Sequence, residues 1–271
     1  MIALITGASG GLGRAMAVEC ARRGYDLYLT DLHDIPLRDL KNGIERRFSV
    51  QVHCRACDLT RAADVEALFG AMDAEGIRLD LLLNIAGMDY EGGFMTRESE
   101  KILRIVQLNI EATLHVTHAA LKRRAREAFH IVTVSSLASL YPIPLKATYA
   151  ASKRFLLDFS IALGQELQHE NVHVLALCPG GLPTTKEALS GIAAQGFWGN
   201  VTTNQLSTVA RRTLSCALAG RRIYIPGFVN RTLSMAGKLI PGAWVAKLLH
   251  ARWRAAQSKW LVAQKKEPDC V

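Results

Sequence analysis

The 271 residues predict one doubly wound α/β domain, an open parallel sheet with helices on both faces, followed by a C-terminal helical extension. Three observations carry that expectation. Short apolar runs alternate with longer stretches of helical period, the order that builds a layered α/β domain. The runs are near-continuous in Val, Ile and Leu, as strands are when helices cover both faces of the sheet. A glycine-rich turn separates the first run from the first helical stretch.

In chain order the expected strands are 2–6, 26–30, 50–57, 79–83, 130–135, 172–178 and 222–225. Helical period fills the intervals near 11–23, 37–47, 61–74, 98–124, 148–169 and 203–218. No linker or repeat interrupts this pattern, so 1–227 reads as one domain and 228–271 as the extension. A ligand of such a sheet sits in the crevice beyond the carboxyl ends of the strands.

The net charge of +9 is uneven. Residues 231–271 carry eight Lys/Arg against two acids, and the preceding 230 residues carry 25 against 22. A basic tail on a nearly neutral body does not suggest a nucleic-acid-binding domain. The first apolar run already reads as a strand, so no signal peptide is expected and the cytoplasm is the default compartment. The six cysteines are then expected as free thiols. Cys54 and Cys57 have a C-x-x-C spacing but no second ligand pair, and His115 and His118 lack a third ligand, so no metal is expected.

The turn Thr6-Gly7-Ala8-Ser9-Gly10-Gly11-Leu12-Gly13 lies between the first strand and the first helix. There, backbone N–H groups and a helix N-terminus can approach a pyrophosphate that side chains would keep away. Asp31 closes the second strand. A carboxylate at that point accepts hydrogen bonds from the adenosine ribose and repels a 2′-phosphate, which favours NAD over NADP. Arg14, beside the glycines, works against that preference.

Further segments follow in order: Asp58-Leu59-Thr60, Leu83-Asn84-Ile85-Ala86-Gly87, then Asn109, Ser136, Tyr149 and Lys153, and finally Pro179-Gly180-Gly181-Leu182-Pro183-Thr184. With the glycine turn they resemble the classical short-chain dehydrogenase/reductase family across 1–227, in particular a hydroxysteroid-dehydrogenase-like member. The resemblance implies a Rossmann-type fold and cofactor contacts from Gly7, Ser9, Gly11, Leu12 and Gly13. It implies that Asp58, with Leu59 beside it, meets the adenine, and that Asn84, Ala86 and Gly87 continue the cradle despite Ile85 in place of the family's second Asn. Pro179, Gly180 and Thr184 would grip the nicotinamide end. Asn109, Ser136, Tyr149 and Lys153 match the catalytic tetrad; Lys153 would also bond the nicotinamide ribose, and Asn109 would hold a water of the proton relay.

The chemistry asks for these residue types. Hydride transfer to a carbonyl leaves charge on oxygen that must be stabilised and protonated, and a free tyrosine, with a pKa of about 10, exchanges protons poorly at neutral pH. Tyr149 and Lys153 are four apart on an expected helix and share a face, so the ammonium is expected to favour the phenolate. Ser136 can donate to the developing oxyanion.

The segments 88–95, 137–144 and 184–203 are expected to wall the substrate side with Met88, Tyr90, Phe94, Met95, Leu140, Tyr141, Pro142, Phe197 and Trp198. Their apolar character predicts a bulky lipophilic substrate, with a steroid-like alcohol or ketone favoured. Reduction of a 3-oxoacyl thioester on acyl carrier protein or coenzyme A is the rival, and a non-catalytic cofactor sensor the third reading. In the extension, Leu233, Ala236, Leu239 and Ile240 form one short stripe, and Val245, Leu249, Trp253, Ala256 and Trp260 a second. A basic amphipathic helix can pack on its own domain, lid the crevice, meet another subunit or lie on an anionic membrane; nothing in it spans one. The resemblance implies a homodimer or homotetramer paired through the helices that carry Asn109 and Tyr149, although Arg154 and Phe155 are bulky for that packing.

Overall fold

The computed structural model describes residues 1–90, 92–125, 127–183, 203–237 and 241–251. The strands β1 (Ile2–Thr6), β2 (Asp26–Asp31), β3 (Val52–Ala56), β4 (Leu81–Asn84), β5 (Phe129–Val134), β6 (Val172–Leu177) and β7 (Ile223–Tyr224) form one sheet in the spatial order β3-β2-β1-β4-β5-β6-β7. Every neighbouring pair is parallel. The chain reverses its direction of travel across the sheet between β1 and β4, and the crevice beyond their carboxyl ends is where such sheets bind ligands.

Side chains that alternate along the strands feed two separate cores. On one face Ala3, Ile5, Leu27, Leu29, Leu81 and Leu83 meet α1 (Gly11–Arg22), α2 (Asp34–Glu45) and α7 (Leu206–Leu218). On the other, Leu4, Tyr28, Leu82 and Ile131 meet α3 (Ala62–Ala74) and α5 (Ala112–Leu121), while α6 (Ala147–Glu166) packs along β6. All four residues of β4 are buried, because helices cover the sheet on both sides. Arg23 fastens α1 to α7, donating to the Arg211 carbonyl at 3.0 Å and the Ser215 hydroxyl at 2.9 Å.

The expected helix over 98–124 is not uniform. It is α4 (Ser99–Val106), a π-helical turn (Gln107–Glu111) and then α5. Inside the π turn Asn109 is fully buried, with its Oδ1 accepting from the Met88 N–H at 2.8 Å and its Nδ2 donating to the Met88 carbonyl at 3.0 Å. The extra residue in the turn is the local adjustment that accompanies this two-point grip, and such turns concentrate at functional sites.

In the extension, α8 (Phe228–Gly237) packs against the 3-10 turn Leu137–Leu140, and Asn230 Nδ2 donates to the Pro226 carbonyl at 2.8 Å. A further helical segment covers 242–251, with Val245 and Leu249 half-buried and Gly242 against Pro142. Trp244 and Leu248 face outward, 75% and 74% exposed, a second apolar pair that the expected stripe did not include. Leu239, Ile240, Trp253, Ala256 and Trp260 lie outside the described residues. Among the described residues no helix is long and apolar enough to cross a membrane, and no cluster of His, Cys, Asp and Glu could hold a metal ion. Cys54 and Cys57 are free thiols, and burial pushes Cys57 up to about 11, which makes it a poor nucleophile.

Candidate active site

The glycine turn is built by close approach. Gly7 has φ +63°, and a Cβ there would lie 2.8 Å from the Ala86 backbone. A Cβ on Gly13 would sit 2.1 Å from the Gly7 carbonyl oxygen. The Thr6 hydroxyl accepts from the Ile85 and Ala86 N–H groups at 3.0 and 3.2 Å, which ties the ends of β1 and β4 together. Asn84 donates to the Thr117 hydroxyl at 2.8 Å, fixing the following loop to α5.

Asp31 is wired into this turn. Its Oδ2 accepts from the Ser9 N–H at 2.9 Å and the Ser9 hydroxyl at 2.6 Å, and its Oδ1 from the Leu32 N–H at 2.7 Å. Arg14 does not reach Asp31; its Nε donates to the Ser9 carbonyl at 2.7 Å. Asp58 is held below the usual carboxylate range, first by the Thr60 hydroxyl, which donates to it at 2.6 Å. Leu59 beside it is buried. Pro179 is buried and its carbonyl accepts from Leu137 N–H at 2.7 Å, Gly180 is half-buried, and Thr184 lies outside the described residues.

Ser136 follows β5; its hydroxyl accepts from Ala138 N–H at 3.1 Å and lies near enough to the Tyr149 phenol to favour its ionised form. Lys153, one turn along α6, is 4% exposed; its Nζ donates to the Val134 carbonyl at 2.9 Å and lies 5.8 Å from the Tyr149 ring centroid. Asn109 adds a bond from its Nδ2 to Ser152 Oγ at 3.0 Å, which joins the π turn to α6. The four residues therefore converge on one place at the carboxyl end of β5.

The electrostatics differ from the expectation. Burial, with the Asp89 charge adding to it, pushes Tyr149 up to about 12, and the opposing groups are the Ser136 hydroxyl and Lys146, not Lys153. Burial likewise pulls Lys153 down to about 8. The Lys153 ammonium is turned to a main-chain carbonyl, so in the protein's own field desolvation outweighs its attraction for the phenolate. That imbalance has a testable cost. Between a folded value of about 8 and the free-lysine value of about 10.4 the unfolded chain holds more protons, so stability rises with pH there and the full cost of the buried charge is present below about pH 8. Lys153→Met is expected to stabilise the fold by ~1–3 kcal/mol near pH 7 and raise Tm by a few degrees, while abolishing turnover. Calorimetry near pH 7 and again near pH 10.5 checks this; the gain should shrink at the higher pH, and a lowered Tm near pH 7 contradicts it.

Beside Tyr149 is a cleft of about 120 Å³ between the loop after β4 and the loop before α6. Leu145, at φ +67° and hence in the left-handed region, accepts from Gly92 N–H at 2.8 Å and holds the two loops together. Of the expected wall residues, Tyr90 and Phe94 line this cleft. Met88 is half-buried and offers its main chain to Asn109, Leu140 packs on Leu157, Ala176 and Cys178 in a small third core, and Tyr141 is half-buried on the neighbouring loop. Phe197 and Trp198 lie outside the described residues. Sequence reasoning missed Arg97 and Lys101, which line the same cleft together with Lys146 and His250. No local motif marks them: they lie four residues apart around the start of α4, and only the fold brings that helix end to Tyr149.

Residues 1–190 match the sequence model of the short chain dehydrogenase family. The chain belongs to this family. This short-chain dehydrogenase is 31% identical over 176 residues to a very-long-chain 3-oxoacyl-CoA reductase of Laccaria bicolor, a match that covers 64% of this chain and 52% of the relative. The chain thus spans about half the length of that curated relative. Among solved structures, an actinorhodin polyketide ketoreductase with NADPH is 26% identical, with a TM-score of 0.74 over 83% of this chain and 95% of the other. L-sorbose reductase from Gluconobacter frateurii, complexed with NADPH and L-sorbose, shares the fold at 20% identity and a TM-score of 0.75, covering 83% and 94%.

Proposed function

We propose that this short-chain dehydrogenase transfers a hydride between NAD(H) and the CH–OH/carbonyl group of a bulky, largely apolar substrate. The observation that carries this reading is the placement of Ser136 and Tyr149 together beside the cleft, with the buried Lys153 ammonium one turn along the same helix and 5.8 Å from the Tyr149 ring centroid. The glycine turn fits a dinucleotide: Gly7 and Gly13 pack where no Cβ has room, and the open N-terminus of α1 presents unpaired N–H groups. Bound nicotinamide supplies or accepts the hydride. In reduction, the Ser136 and Tyr149 hydroxyls donate to the carbonyl oxygen, and the phenolic O–H bond breaks to pass its proton to the nascent alkoxide. In oxidation, the phenolate takes that proton back from the alcohol. The positive charge of Lys153 favours the phenolate as it forms, and Asn109 holds Met88 and Ser152 so that the loop after β4 stays registered on α6.

The preference for NAD rests on Asp31, a carboxylate bonded to Ser9 of the glycine turn that would repel a 2′-phosphate, while the nearby Arg14 donates to the Ser9 carbonyl. Purified protein is expected to favour NADH over NADPH by about tenfold or more in kcat/KM, and Asp31→Ser to narrow that margin. The 340 nm assay that tests it uses bulky ketones, including steroid ketones, and acetoacetyl thioesters; NADPH-dependent turnover alone refutes the NAD reading, and silence with every ketone refutes the activity. A second reading, reduction of a 3-oxoacyl thioester, is supported by the name of the Laccaria relative and by the cations around the cleft. The division at 227/228, a cytoplasmic location and a homo-oligomer remain parts of this proposal. For the extension we favour packing on its own domain, which the half-buried Val245 and Leu249 support.

A further inference from the structure

The cleft beside Tyr149 combines an apolar wall with a cation that no carboxylate among the described residues neutralises. Tyr90, Phe94, Ile102 and Pro144 supply the wall. Of the four basic residues at its edge, Lys101 is paired with Glu98 at 2.8 Å and Lys146 with Asp89. Arg97 is half-buried, and among the described residues no carboxylate pairs with it. Its guanidinium lies over Gly92, where a Cβ would come within 2.6 Å of Nε and 2.8 Å of Nη2, so the glycine makes the room it occupies. Arg97 and Lys101 are also close enough for the guanidinium to act against the Lys101 charge. A partly desolvated guanidinium without a partner is costly, and an anion is the ligand that recovers the cost, with two N–H groups in a planar fork for a carboxylate or phosphate.

We propose that the substrate is an amphiphile, an apolar chain that bears the reacting carbonyl or carbinol and also an anionic group, and that Arg97 is the residue that selects the anion. This rests on the hydride-transfer reading above for where the chain's reacting carbon lies, but not for whether an anion binds. The cleft's size sets the distance: the anion sits within one small cavity of Tyr149, so it belongs to the same molecule as the reacting carbon. A free carboxylate and a phosphate-bearing head share this chemistry.

The test is binding, measured by calorimetry on the full chain saturated with NADH, using decanoate, decyl phosphate and decanol as probes. Both anions are expected to bind at least about tenfold more tightly than decanol, the margin of one charge-assisted hydrogen bond in a half-buried site. Arg97→Met should erase that margin while leaving the affinity for decanol within about twofold, and Arg97→Lys should retain part of it. Decanoate as the tighter anion identifies a free acid, and decyl phosphate a phosphorylated head or carrier. Equal binding of decanol and the anions, or anion affinity unmoved by Arg97→Met, overturns the proposal. Anion binding that depends on Arg97 in a protein that never oxidises NADH would instead refute the hydride-transfer reading and leave the anion site standing.

Discussion

Tyr149→Phe is expected to slow hydride transfer by about 10²–10⁴-fold, the range that a positioned acid–base group contributes. The substitution removes one hydroxyl and leaves the ring in place, so thermal stability should change by no more than about 1 kcal/mol. Single-turnover mixing at saturating NADH separates this loss from any change in binding, and a rate within tenfold of the parent removes Tyr149 from the reaction. The pH profile gives a second signature. The protein pushes the phenol up to about 12, so ketone reduction, which uses the protonated phenol, should run flat through neutral pH. Alcohol oxidation needs the phenolate and should climb with pH, and that climb should vanish in Tyr149→Phe. Oxidised nicotinamide adds a positive charge that moves the climbing limb to lower pH.

Gly13→Ala is expected to be the most damaging single-methyl change in the cofactor half. The new Cβ would meet only backbone, at 2.1 Å from the Gly7 carbonyl oxygen and 2.8 Å from Ala8 Cα, so no side-chain rotation can relieve it. The turn or the start of α1 must move, and Gly7, already at φ +63° and pressed on Ala86, leaves little freedom to do so. A destabilisation of about 3 kcal/mol or more is expected, together with loss of dinucleotide binding. Gly10→Ala is the control, since its Cβ would find its nearest neighbour at an ordinary 3.5 Å. Thermal melts and NADH fluorescence titrations on both variants decide the matter; equal behaviour of the two contradicts the packing argument.

Much of this molecule is legible in its sequence. Continuous apolar runs report burial on both faces whatever the details of packing, and so the seven strands fall within a few residues of their expected places. Motif residues that need one geometry were readable for the same reason: Gly7 and Gly13 because backbone must touch backbone, and Tyr149 and Lys153 because one helical turn joins them. The break in the helix over 98–124 was not readable, because it depends on Asn109 gripping the Met88 backbone, a partner 21 residues away that no helical period encodes. Nor was the charge state of the site. Residue spacing says that Lys153 is near Tyr149, but burial, a property of the whole fold, decides that the phenol rises and the ammonium falls.

The substrate side divides in the same way. Aromatic and Met content around 88–95 and 137–144 suggested an apolar wall, yet only tertiary packing sends Leu140 into the core and leaves Tyr90 and Phe94 at the cleft. Sequence by itself determined the strand–helix alternation, the close-packed glycine turn and the residues that meet at the carboxyl end of β5, since each follows from local period or from a motif with one workable geometry. Tertiary structure alone decided that Arg97 and Lys101, four residues apart around the start of α4, share one cleft with Lys146, His250 and Tyr149. Among the described residues, pairing then leaves Arg97 without a carboxylate while Lys101 and Lys146 have theirs, because pairing depends on which surfaces the fold brings together.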